Sequence, residues 1–176
     1  MRKSLAALSL ALLAFAAPTF AQAPMPQPGP EHEMLKKDVG TWEASIEMFM
    51  PGGGPPAVSK GTETLSMMGG FWQLSEFKAD MMGQPFEGRG ATSFDPGKKK
   101  YVGTWIDTMM PGYYTTEGTY DAASRTMSAT MEGPDPSGQV TRSRATTEWK
   151  DADTRVFSMY GPDGKLGMRI TYKRRK

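Results

Sequence analysis

Thr41-Trp42-Glu43-Ala44-Ser45-Ile46-Glu47-Met48-Phe49-Met50 is the stretch whose reading decides the fold. Trp42, Ala44, Ile46, Met48 and Met50 recur at every second position, with Glu43, Ser45 and Glu47 between them. A period of two is the pattern of a β-strand that buries one face and wets the other. Segments of the same kind follow at about 58–68, 71–80, 86–95, 100–110, 113–121, 125–132, 139–150, 154–160 and 165–173. Turn signals such as Asp95-Pro96-Gly97 and Gly161-Pro162-Asp163-Gly164 separate them. The connections are too short for crossover helices, so successive strands are expected to pair antiparallel. Ten short strands in meander order, with no second layer to cover a sheet, predict an all-β, up-and-down antiparallel β-barrel. An open sandwich is the alternative.

Upstream of the first strand, Pro30-Glu31-His32-Glu33-Met34-Leu35-Lys36-Lys37-Asp38-Val39-Gly40 has Pro at a first helical position, acids in the first turn, bases in the last and Gly beyond. Those features predict a short helix whose charges oppose its macrodipole. Residues 24–29 read as a Pro-rich linker. Residues 1–23 combine Arg2 and Lys3, an uncharged apolar run over 5–17, and Ala21-Gln22-Ala23 as a cleavage signal. They read as a secretory signal peptide, too short in its apolar run to anchor as a membrane span of roughly 20 residues. A single barrel domain over 30–176, periplasmic or secreted, is expected.

The 176 residues contain no cysteine, which excludes disulfides, thiolate metal sites and a cysteine nucleophile. Of 21 basic and 19 acidic residues, the two basic ones in the signal account for the whole excess. A neutral mature chain has no electrostatic footprint for nucleic acid. Beyond residue 23, Leu, Ile, Val and Phe together number only 18, against 14 Met, four Trp and six Tyr. The core is therefore expected to be built from methionine and aromatic residues.

In a meander, alternate turns fall at opposite ends of the barrel. One end receives Gly- and Pro-containing turns near Met50, Met81-Met82 and Met109-Met110; the other receives charged turns, the helix, and Trp42, Trp72 and Trp149. The expected picture is a closed end, plugged by the helix over a Trp42, Trp72, Trp149 floor, and an open methionine rim. Met48, Met50, Met82, Trp105 and Met110 are the candidate ligand-binding residues, since thioethers adapt to irregular apolar ligands. Arg142 and Arg144, with Thr146 and Glu148, share one side of a strand and are candidates for an anionic head group, provided that side is the lumen. The opposite side carries Trp149, which favours that side as the buried one.

Glu31-His32-Glu33-x-Leu35, Gly40-Thr41-Trp42, Ser93-Phe94-Asp95 and Tyr101-Val102-Gly103-Thr104-Trp105-Ile106-Asp107 together resemble the secreted bacterial domain-of-unknown-function family 1579 over about residues 30–173. That family is similar to the calycins, in which Gly-x-Trp opens the first strand near the closed end. The resemblance implies a calycin-like barrel and supplies no activity. The Arg-x-Tyr pair of fatty-acid-binding proteins is not reproduced by Arg169 and Tyr172, which are three apart, and the late proximal His of a nitrobindin has no counterpart, since the only His is His32.

No nucleophile elbow, P-loop or dinucleotide fingerprint is present, so no catalytic residue is assigned. His32 reads as a solvated helix residue, and no metal or cofactor is expected, although Met48 and Met50 on one strand face would suit Cu(I). Lys98-Lys99-Lys100 and the terminal Lys173-Arg174-Arg175-Lys176 read as a solvated turn and tail. The expected function is binding of a small hydrophobic or amphipathic molecule, with neither nucleic acid nor stable membrane insertion. Two alternatives remain: an envelope interaction module with a filled lumen, or a lumen enzyme using paired carboxylates from among Glu43, Glu63, Glu76 and Asp107.

Overall fold

The structure, a computed structural model, describes residues 25–176; the signal peptide expected at 1–23 lies outside the described residues. One helix, α1 (Pro30–Lys36), precedes β1 (Gly40–Met48), β2 (Ala57–Met68), β3 (Trp72–Met81), β4 (Gln84–Asp95), β5 (Lys100–Asp107), β6 (Tyr114–Asp121), β7 (Thr126–Pro134), β8 (Val140–Trp149), β9 (Thr154–Tyr160) and β10 (Leu166–Arg174). Every strand pairs antiparallel with its sequence neighbours, and β1 pairs with β10 to close the barrel. Closure gives every strand two partners and leaves no edge. The open sandwich is thereby excluded.

Cross-strand partners share a face, so the register defines the lumen. From Trp42, Ala44, Ile46 and Met48 the inner face passes to Tyr172, Ile170 and Met168 on β10, and to Glu63 and Gly61 on β2. Trp42 and Ile46 are fully buried, and Leu65, Phe77, Phe86, Ile170 and Tyr172 join them in one core. Burying a tryptophan removes about 150–250 Å² from water, roughly 4–6 kcal/mol at the usual area coefficient. The filled part of the lumen is therefore the side of β1–β4, β9 and β10, and its larger members are mostly aromatic.

Glycine makes room for two of the inward rings. Trp105 lies over Gly88 and Gly90, and the Tyr114 ring lies over Gly133, where any Cβ would overlap it. The helix packs chiefly on β3 and β4. Seven residues form a marginal helix in isolation, so its place depends on tertiary bonds. Gln73 Nε2 donates to the Leu35 carbonyl at 2.6 Å, Tyr101 Oη to that of Glu31 at 3.2 Å, and the Arg174 guanidinium to those of Lys37 and Val39 at 2.8 and 2.7 Å. No helix among the described residues is long and apolar enough to cross a membrane.

Candidate functional site

Because α1 covers chiefly the β3–β4 side of its end, much of the β5–β8 side is left open. A cleft of about 880 Å³ lies there, within the range of small-molecule sites. Its walls carry two edge-to-face aromatic pairs, Tyr120 with Trp149 at 5.7 Å and Phe94 with Tyr101 at 5.2 Å, together with Met34 of the helix. Lys99 and Arg125, from the turns after β4 and β6, stand at its edge with Asp151 and Asp153 from the turn after β8. The inner wall of β5–β8 carries the small residues Gly103, Thr116, Gly118, Ala129, Ser143 and Ala145, with Met127, Met131 and Thr147 among them on the same face. Thr116, Ala129 and Ser143 face inward and, like Met127 and Met131, are only half-buried, so this half carries fewer deeply buried large side chains than the β1–β4 side.

The expected closed end is thus only half closed. Its floor also differs from the expectation. Trp42 Nε1 donates to the Asp38 carbonyl at 2.8 Å and Trp149 Nε1 to Asp38 Oδ1 at 2.7 Å, so two of the three tryptophans are joined through one aspartate. Trp72 is not part of this floor. It pairs with Met68 on the outer face and is more than a third exposed, because the inward parity of β3 belongs to Gln73, Ser75 and Phe77.

Beneath the tryptophans lies a buried ionic group. Arg155 pairs with Glu63 and stands 3.9 Å from Asp38 Oδ2, its guanidinium stacked 4.0 Å from the Tyr172 ring and 4.8 Å from that of Trp42. Ser75 Oγ donates to the other Glu63 oxygen at 2.6 Å. Burial pushes the Asp38 carboxyl above its ordinary range, with Arg155, the Trp149 bond and Arg174 pulling it back. Burial likewise drives the Tyr172 phenol well up, and the Glu63 charge adds to it. Sequence reasoning did not single out Arg155; a lone arginine alternating with Phe157 and Met159 along β9 is the one sequence signal that would have pointed to a buried acidic partner.

The four carboxylates considered for a lumen enzyme are all engaged. Glu63 is held by Arg155, and Asp107 Oδ2 accepts from Trp105 Nε1 at 3.0 Å. Glu43 and Glu76 face outward, toward Arg175 and Arg89. His32, read as solvated, is buried: its Nδ1 accepts the Gly29 N–H at 3.0 Å, and its ring meets Phe71 and Phe94 edge-on.

The methionine rim is one end, as the meander requires, but it is not one pocket. Met48 and Trp105 face inward against the core, whereas Met50 and Met82 are exposed. Met110 is half-buried in the β5–β6 loop, its N–H donating to Asp107 at 3.1 Å. A smaller cavity of about 430 Å³ lies at this rim against Met81, Met82, Phe86 and Met109. Arg142 and Arg144 do not reach the lumen. Ala145 and Trp149 take the inward parity of β8, so Arg142 turns outward to Glu132 at 2.8 Å and Arg144 lies outside, 3.6 Å above the Tyr160 ring.

A family model described as "Protein of unknown function (DUF1579)" matches residues 27–174. Among solved structures, Rv2717c from M. tuberculosis superposes with a TM-score of 0.64 at 14% identity, over 85% of this chain and 100% of that one. Two designed proteins, a redesigned beta barrel and a fluorescence-activating beta barrel, align at TM-scores of 0.45 and 0.46 with 13% and 17% identity. They cover 81% and 80% of this chain, and 95% and 96% of their own. No curated protein sequence matches the chain.

Proposed function

This chain belongs to the DUF1579 family, and as that family's description assigns no activity, we propose from the geometry that the barrel binds a small apolar or amphipathic molecule. The ligand enters beside α1 and settles against β5–β8. The observation that carries this reading is the aromatic cleft of about 880 Å³ standing over a lumen wall on which small residues alternate with the half-buried Met127 and Met131. Tyr120 and Trp149 supply apolar faces to the ligand body, and Lys99 and Arg125 stand where a polar end would emerge. The secretory reading of residues 1–23 supports a periplasmic or secreted site of action.

Native mass spectrometry of the protein purified from its own envelope fraction tests this directly. A retained small molecule is expected, and its addition to stripped protein should change Trp149 fluorescence. Absence of any adduct, together with no spectral response to a panel of fatty acids, sterols and quinones, would overturn the reading.

A further inference from the structure

At the opposite end from the cleft, three thioethers stand in one row of the inner wall. The register pairs Met48 with Met168 and Met168 with Met159, so β1, β10 and β9 each contribute one methionine at the same level. Directly opposed residues in antiparallel strands hold their Cβ atoms about 4.5–5.5 Å apart. The inside of a closed barrel is concave, so side chains from three adjacent strands converge there instead of splaying. All three methionines are half-buried, and Met48 and Met168 pack on the core. The row continues into Ala57 beyond Met48 and Ala145 beyond Met159, both small. Neither an imidazole nor a carboxylate stands in that row.

We infer that Met48, Met159 and Met168 form a binding site for a soft monovalent cation, Cu(I). Thioether sulfur selects Cu(I), whereas Zn(II), Mg(II) and Ca(II) require the imidazole or oxygen donors that this row lacks. Three neutral donors leave the ion its single charge, which costs far less to bury than a double one. The long methionine arms adjust without moving the strands. The site is independent of the cleft: it lies toward the other end and uses none of its residues.

Titration of the purified protein with Cu(I), under ascorbate and against bicinchoninate as competing chelator, reads the site. One equivalent per chain is expected, with no comparable retention of Zn(II). Met168→Leu, close in volume, should weaken binding by tenfold or more, while Met82→Leu and Met109→Leu on the exposed rim leave it unchanged. X-ray absorption of the Cu(I)-loaded wild-type protein is expected to show sulfur scatterers alone, which keeps the test open should a core variant fail to fold. No retention of Cu(I), equal retention by the triple Leu variant, or nitrogen and oxygen in the first coordination sphere would each overturn the assignment.

Discussion

Arg155 carries a full charge into a space otherwise given to Trp42, Phe157, Tyr172 and Ile170. Its side chain and that of Glu63 are both more than nine-tenths buried, so neither charge has water to fall back on. Removing one partner of such a pair strands the other, at a cost of about 3–5 kcal/mol. Arg155→Met should lose stability of that order in urea denaturation, and a loss below 1 kcal/mol would mean that water reaches Glu63. Asp38 is a different case. Its carboxyl is raised chiefly by burial, and its contact with Arg155 is long at 3.9 Å. A group whose folded pKa is raised contributes stability that is complete below the ordinary value of 3.8 and is lost as pH rises through the folded value. At pH 7, above the ordinary value, Asp38 therefore supports the fold less than it does in acid. Asp38→Asn, which keeps an acceptor for Trp149 Nε1, should be at least as stable as the parent at pH 7, with the gap closing as pH falls toward 4. A deficit at pH 7 that disappears in acid would show that attraction to Arg155 outweighs burial.

At the scale of elements, α1 is a partial lid whose position rests on a few bonds. Gln73→Ala deletes the bond to the Leu35 carbonyl, worth about 0.5–1.5 kcal/mol. Amide exchange over residues 32–39 should quicken by roughly threefold to tenfold, since a local opening reports its own free energy, while β1–β10 exchange as before. Equal acceleration in the strands would mean that helix and barrel open as one unit. The strands themselves were legible because each carries its own period-two pattern, and β9 was read at Thr154–Tyr160, as observed. Which parity faces in was harder where an apolar residue lies outside, as Trp72 does, or where both faces are polar, as in most of β8. Arg142 and Arg144 were offered to a ligand only if their side faced the lumen; Trp149 already favoured the opposite side as buried, and the register agrees with Trp149. His32 was misread because its burial comes from Phe71 and Phe94, which are remote in sequence.

Over the whole molecule, the two halves of the lumen are filled to different degrees, and nothing local in the sequence announces it. The helix could have covered either side of its end; the long-range bond from Gln73 holds it over β3, with Tyr101 of β5 bonding its first turn and Arg174 of β10 the chain just beyond it. The same chain therefore offers a wall of deeply buried residues along β1–β4 and, along β5–β8, one on which small residues stand among the half-buried Met127 and Met131. Enlarging a side chain in a packed core costs about 1–3 kcal/mol, because neighbours must leave their rotamers. Ala44, buried between strands of the core, should show that cost in full as Ala44→Phe. Ala129 faces inward on the β5–β8 side and remains half-buried, so Ala129→Phe should fold with a melting temperature close to that of the parent. Occupying the space meant for ligand, the new ring should at the same time reduce uptake of whatever molecule native mass spectrometry detects by tenfold or more. If Ala129→Phe is as destabilising as Ala44→Phe, the β5–β8 half is packed and the ligand reading loses its cavity. If it folds well and still takes up ligand undiminished, the cavity exists but the ligand sits in the outer cleft, against Tyr120 and Trp149.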